Sequence, residues 1–541
     1  MLCKVIPLLD PKGENLAMKK LIISFAAVAA CVCGAFGATY YASPNEGPDS
    51  TKDCSSPENA GFIVTAIKKA ADKKATTMAT ASEAVLLPGE YDFSGIKRDD
   101  ATSVSNLFSR SESSYRYFKV RGQGGDPEKV RIIGPGSDQN VRFLKVSGGS
   151  TVWLECVCVT NFGISGDSGG AAVNPATGTN GTGNLITNCV FRCCKGPTGG
   201  AVRANVSTSI YDSKFYNNAY TDWISSKNYY GGGAVFNAKC YGCEFWYNHD
   251  ESNAPDTNAA RGGAILNCYA ENCLFVGNQA RCGAVAGVAG GGSKAGTSLS
   301  NCIISNNEST VSGGYAMLHD ITEVNDCLIM DNVVNDNVSY GLISGGATCS
   351  RCLFYRNRSL GPSLIYCSLR NCVIFSNDCS LVTATAAGLL DGSASYTYNC
   401  TIISNRMARN VYVTTDTHYN DLVLHNPGAS LSYGKWTKGL YNCVADIDPN
   451  ANTPRENFTK DAKAFNSVIF GKEPKWGIDG VPIGIKYRKT LCGTGTNETV
   501  AATTIWTADS VDYAGRPRLR GDLVDIGAFT WRPKGLVLLV R

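Results

Sequence analysis

A short phrase recurs along the middle of the chain: a Cys, two or three apolar residues, and an Asn five positions after the Cys. It reads Cys243-Glu-Phe-Trp-Tyr-Asn248, Cys273-Leu-Phe-Val-Gly-Asn278, Cys327-Leu-Ile-Met-Asp-Asn332, Cys352-Leu-Phe-Tyr-Arg-Asn357, Cys372-Val-Ile-Phe-Ser-Asn377 and Cys400-Thr-Ile-Ile-Ser-Asn405. Looser copies start at Cys156, Ser213, Cys302 and Asp421, and from Ser213 onward successive starts lie 20 to 30 residues apart. A period of that size marks a solenoid, in which each unit buries its apolar face against the next.

The residue two after the Cys is Phe or Ile in copy after copy: Phe245, Phe275, Ile304, Ile329, Phe354, Ile374, Ile402. Side chains of a strand alternate faces, so this column and the Cys column point into a common core. The Asn column suits a left-handed turn residue, and stacked Asn side chains can also bond from coil to coil. A second strand signal recurs as Gly199-Gly200-Ala201-Val202, Gly232-Gly233-Ala234-Val235 and Gly262-Gly263-Ala264-Ile265, weaker at Cys282-Gly283-Ala284-Val285. Glycines before a short apolar strand permit a sharp corner and close backbone approach.

The pairing of Gly-Gly-Ala-(Ile/Val) with Phe-x-x-Asn (Phe215 to Asn218, Phe245 to Asn248) resembles the repeats of chlamydial polymorphic outer membrane proteins. More broadly, it resembles the pectate-lyase-like right-handed parallel β-helix proteins of bacterial surfaces. The resemblance implies an all-β, single-stranded right-handed parallel β-helix solenoid. Tyr40-Tyr41-Ala42-Ser43-Pro44, a helix over about Pro57 to Asp72, and Val85 to Tyr91 resemble the N-terminal cap and first coil of secreted β-helices. Asp512-Tyr-Ala-Gly515-Arg-Pro517-Arg518 and Asp525 to Phe529 resemble the closing module called choice-of-anchor Q, with Thr530 where that module usually has an acid. The expected divisions are a leader over 1–37, cap and first coils over 38–150, repeats over 151–430 and a C-terminal closing module over 431–541.

Met18-Lys19-Lys20, an apolar stretch from Leu21 to Ala30, and Ala35-Phe36-Gly37 read as a secretory signal with its start at Met18. Val28-Ala29-Ala30-Cys31 also resembles a lipobox, making Cys31 a candidate for lipidation. Export to the cell surface or medium follows. After the leader there is no run of about 20 apolar residues that could span a membrane. The chain carries +4, and residues 1 to 37 hold four Lys, one Asp and one Glu, leaving +4 − 2 = +2 beyond the leader, too little to steer toward nucleic acid.

Of 24 Cys, three precede the cleavage point, leaving an odd 21. Export first suggests a disulfide framework. The column argument instead makes Cys243, Cys273, Cys302, Cys327, Cys352, Cys372 and Cys400 a buried ladder of free thiols, beside an Asn ladder of Asn248, Asn278, Asn332, Asn357, Asn377 and Asn405. Cys240-x-x-Cys243 and Cys349-x-x-Cys352 invite a zinc reading. The two pairs stand four repeats apart, about 19 Å at one strand spacing per coil, so no metal site is expected from them. Cys240 with Cys243, or Cys268 with Cys273, remain candidates for local disulfides.

A lyase would need acidic residues for calcium and an Arg or Lys base, and a glycosidase two carboxylates; neither set concentrates legibly. His249, His319, His418 and His425 are scattered. Gly287 to Gly296 reads as a flexible insertion. Two long insertions follow the Asn turn in successive coils, one with Tyr220, Trp223, Tyr229 and Tyr230, the next with Asp250, Glu251 and Asp256. They should emerge side by side, where rings beside carboxylates suit sugars, or simply pack on each other. The leading expectation is a monomeric, exported, non-catalytic adhesin or glycan-binding protein without cofactor. The alternatives are a lyase or glycoside hydrolase on an acidic polysaccharide, with calcium if a lyase, and a structural envelope protein.

Overall fold

The computed structural model describes residues 37–97, 104–166, 169–175, 183–221, 231–251, 262–280, 297–309, most of 316–426, and short pieces elsewhere. The chain winds as a parallel β-helix. Each coil begins with a front strand, such as Ser209–Tyr211, Lys239–Tyr241, Tyr269–Glu271 or Ser298–Ser300, which pairs in parallel with its counterpart in the next coil. A corner leads to a back strand, and the back strands form a 14-stranded sheet that includes Lys214–Tyr216, Glu244–Trp246 and Leu274–Val276. A second corner leads to a two-residue side strand such as Ala219–Tyr220 or His249–Asp250. A short strand after the Gly-Gly corner, such as Val235–Phe236 or Ile265–Leu266, closes the coil.

The repeat phrase covers the two corners flanking the back strand. Non-glycine residues take positive φ five positions apart: Asp326 (56°) and Asp331 (55°), Arg351 (53°) and Arg356 (51°), Asn399 (55°) and Ser404 (56°). The Cys follows the first of these and the Asn follows the second. The left-handed residue is therefore the one before the ladder Asn, which differs from the expectation that the Asn itself takes that conformation. Asn at the ladder is freed for coil-to-coil bonding, and nine stand in register: Asn218, Asn248, Asn278, Asn307, Asn332, Asn357, Asn377, Asn405 and Asn426.

The Cys column faces inward at the first corner, and Cys243, Cys352, Cys372 and Cys400 are fully buried. It also has a polar duty. The column residue accepts the backbone N–H of the column residue one coil earlier: Cys302 N–H donates to Cys327 Sγ at 3.4 Å, Cys189 N–H to Ser213 Oγ at 3.1 Å, and Cys400 N–H to Asp421 Oδ1 at 2.7 Å. This explains why Ser and Asp replace Cys in the loose copies. Between the ladders runs a column of stacked rings, Phe191, Phe215, Phe245 and Phe275, with centroids 4.8–5.1 Å apart.

At the N-terminal end, the helix Ile63–Asp72 turns Ile63, Ala66, Ile67, Ala70 and Ala71 onto the open end of the coil stack. It starts at Ile63 rather than near Pro57, after Phe62 in an extended conformation. The Gly-Gly corners carry strict steric demand: Gly232 and Gly262 have φ of 74° and 75°, and a Cβ on Gly233 would lie 2.0 Å from the carbonyl oxygen of Gly263.

Near the C-terminus, Asp512 Oδ1 accepts the N–H groups of Ala514 and Arg516 (2.9 and 2.8 Å), building the turn of the Asp-Tyr-Ala-Gly-Arg segment. This segment packs on the outer face of the back sheet. Ala528 clusters with Leu353 and Val373, and its N–H donates to Thr401 Oγ1 at 3.0 Å. Among the described residues no helix is long and apolar enough to cross a membrane.

Candidate functional site

The insertion residues read from the sequence come only partly into view. Trp223, Tyr229, Tyr230 and Asp256 lie outside the described residues, as do Cys31, Cys282 and the Gly287–Gly296 stretch. Tyr220 and Asp250 pair across adjacent coils, next to Ala219 and His249. The second residue of each side strand belongs to an inward column with Gly196, Ala280, Val334 and Cys379. Tyr220 occupies that column and is 1% exposed, so its ring is packing rather than an open sugar platform. Glu251 accepts from Lys195 Nζ at 2.8 and 2.9 Å and contacts His249 Nε2 at 2.8 Å. Partial burial pushes its carboxyl up, but Lys195 and His249 outweigh it and hold the pKa below the usual range. These bonds tie three successive coils together, and they engage the Glu251 carboxylate in doing so.

A different surface gathers aromatic and charged groups: the outward face of the front sheet. One outward column runs Arg121, Glu155, Thr187, Tyr211, Tyr241, Glu271, one residue per coil. The neighbouring outward column runs Glu83, Lys119, Trp153, Leu185, Ser209, Lys239, Tyr269. Tyr211 and Tyr241 stack with centroids 4.8 Å apart and planes 14° apart, and Tyr241 meets Tyr269 at 5.6 Å. The Tyr269 hydroxyl donates to Glu271 at 2.9 Å, and burial together with that carboxylate pushes its pKa up to about 12.

Tyr211 begins this row and is 39% exposed. One face of its ring is covered by Tyr241. On the other side its strand neighbour is the smaller Thr187. Tyr211 also lines a groove of about 580 Å³ together with Thr76, Thr77, Met78, Tyr117, Leu185 and Ser209. The groove is roofed at one edge by the segment that follows the capping helix, where Tyr117 N–H donates to Ala75 O at 3.2 Å. Hydroxyls, an aliphatic floor and two phenol rings offer both hydrogen bonding and apolar contact.

Up the same face lies a charged group. Arg121 donates from Nε and Nη2 to the two oxygens of Glu83, each at 3.3 Å. Lys119 Nζ sits 4.6 Å from the Trp153 ring centroid, and Trp153 Nε1 donates to Thr187 Oγ1 at 3.3 Å. Glu155, beside Arg121, is half-buried; burial raises its pKa against the opposing pull of Arg121 and Lys119. Two coils separate Glu155 from Tyr211, about 10 Å at one strand spacing per coil.

Sequence reasoning missed this face although a signal existed. The residue two before the column position is aromatic in several copies (Tyr211, Tyr241, Tyr398), and the left-handed corner residue between them (Asp212, Gly242, Asn399) breaks the alternation and leaves it outward.

No family profile and no curated protein sequence matches the chain. Among solved structures, it is similar to a pectate lyase, Pel9A, at 12% identity over 91% of this chain and 96% of that one, with a TM-score of 0.26. It is also similar to a PL6-family alginate lyase, AlyGC (12% identity, 92% of this chain, 59% of that one, TM-score 0.34). A rhamnogalacturonan lyase matches at 12% identity over 79% of this chain and 98% of that one, with a TM-score of 0.30. The likeness is to the fold and carries no argument about activity.

Proposed function

We propose that this is an exported β-helix protein that binds carbohydrate on the front face, with a sugar ring seated in the groove that Tyr211 lines. The observation that carries the reading is the position of Tyr211: it is the first plate of an aromatic row and it lines the groove. A pyranose can pack its apolar face against the Tyr211 ring, while Thr76, Thr77 and Ser209 meet its hydroxyls. The resemblance of the repeats to polymorphic outer membrane proteins, and the leader, support a place at the cell surface. Titration of the purified protein with a panel of neutral and acidic oligosaccharides tests the reading. Tyr211→Ala should weaken the best ligand about tenfold, the value of one good ring contact.

A second reading has one observation in its favour. Glu155 is a carboxyl whose pKa is raised by burial, flanked by Arg121 and Lys119 and two coils from Tyr211, which is the kind of group that serves as a general acid. If polymer bound at Tyr211 is also cleaved, incubation should release reducing ends or unsaturated products, and Glu155→Gln should abolish that release while leaving binding in place.

A further inference from the structure

We propose that Cys349 and Cys367 are a covalent cross-link site, joined on oxidation as a disulfide between adjacent coils. Cys349 is the central residue of the front strand Thr348–Ser350, and Cys367 immediately precedes the strand Ser368–Arg370 that pairs with it. Their Sγ atoms stand 3.4 Å apart, and both residues are buried. Thiols of the corner column also have carbonyl acceptors: Cys352 Sγ donates to the carbonyls of Val324 and Ser350 (3.2 and 3.4 Å), and Cys372 Sγ to those of Cys349 and Arg370 (3.4 and 3.3 Å). Cys349 and Cys367 face each other, with Cys352 as a further thiol neighbour of Cys349.

The sequence pointed to Cys240 with Cys243 and Cys268 with Cys273 because they are close in the chain. Cys349 and Cys367 are 18 residues apart and meet only because one coil of the solenoid separates them. Joining them stitches consecutive coils.

The chemistry balances with a disulfide oxidant. Each Cys thiol gives up one proton and one electron, the Sγ–Sγ bond forms, and the oxidant's disulfide bond breaks, taking up the two protons and two electrons to yield two thiols. Exchange needs a thiolate. Burial raises the pKa of both Cys349 and Cys367, so in the folded chain the thiolate is scarce and the oxidant excluded. The bond should therefore form while the chain folds, and once made it should resist reductant until the solenoid opens.

The test refolds the full chain from denaturant in a buffer of oxidised and reduced glutathione, then alkylates it and maps it with trypsin without reduction. Cleavage after Arg351, Arg356, Arg358 and Arg370 puts Cys349, Cys352, Cys367 and Cys372 on four different peptides. The expected result is a linked pair carrying Cys349 and Cys367 that separates on reduction, with Cys352 and Cys372 recovered as thiols. Recovery of Cys349 and Cys367 as alkylated thiols, or linkage of either to Cys352, overturns the proposal. As a second readout, protein refolded with glutathione should unfold several degrees higher than protein refolded in reductant; equal midpoints also count against the link.

Discussion

Asn248 Nδ2 donates to Asn278 Oδ1 one coil further on, at 3.0 Å, and the backbone N–H of Asn248 donates to the same oxygen at 3.0 Å. Asn278 repeats the arrangement toward Asn307, with both distances 2.9 Å, while its Nδ2 also reaches the carbonyl of Phe245 at 3.0 Å. Each Asn thus satisfies a corner N–H and a back-strand carbonyl, both of the preceding coil, at a buried corner. The ladder closes the polar accounts of one corner of the solenoid.

Asn278→Ala removes that acceptor and leaves the Asn248 N–H and the Phe245 carbonyl buried without their partner. The expected cost is about 3 kcal/mol, measured by chemical denaturation, with Asn278→Asp costing at least as much because a carboxylate cannot donate to Phe245. A loss well under 1 kcal/mol would mean the ladder is dispensable.

Cys327 both fills space and accepts the Cys302 N–H. Cys327→Ser keeps an acceptor, as Ser213 does naturally, whereas Cys327→Val orphans the N–H despite its better hydrophobicity. Thermal melts should rank the Ser variant above the Val variant by about 1 kcal/mol or more.

Cys193 holds φ of 51° and is exposed, in contrast to the other seventeen described cysteines, which are buried. Cys193→Asn suits the left-handed conformation and should leave stability unchanged or raise it by about 0.5–1 kcal/mol. Cys193→Val, β-branched at positive φ, should lower it. Native-state alkylation followed by peptide mapping should label Cys193 far faster than Cys243 or Cys352.

Glu155 gives a pH signature of known sign. Its folded pKa is raised by burial, so the folded state holds the proton more tightly than the unfolded chain. The resulting stabilisation is present below the unfolded pKa of about 4.3 and is lost as pH rises through the folded value. Glu155→Gln removes the ionisation, so the melting temperature of the variant relative to wild type should increase from about pH 4 to neutrality. A difference that shrinks over that range would mean Arg121 and Lys119 outweigh burial.

Much of the coil was legible in the sequence because its demands repeat. Phe245 and Phe275 recur at one spacing, the Asn ladder at another, and Gly233 stands where no Cβ fits. The left-handed role was harder to read, because Asp331, Arg356 and Ser404 share a conformation without sharing chemistry. The candidate site was less legible still. Tyr220 looked like an exposed ring because it opens a long insertion, yet side-strand alternation turns it inward. Tyr211, Glu155 and Arg121 sit far apart in the chain, and only the stacking of front strands aligns them. The same holds for Cys349 and Cys367.

The most direct test of the carbohydrate-binding account is calorimetric titration of wild type and Tyr211→Ala with the best oligosaccharide from a glycan panel, alongside Tyr355→Ala on the back sheet as a control. The account predicts saturable binding that falls about tenfold for Tyr211→Ala and is unchanged for the control. Binding unaffected by Tyr211→Ala, or absent from every glycan offered, would contradict it.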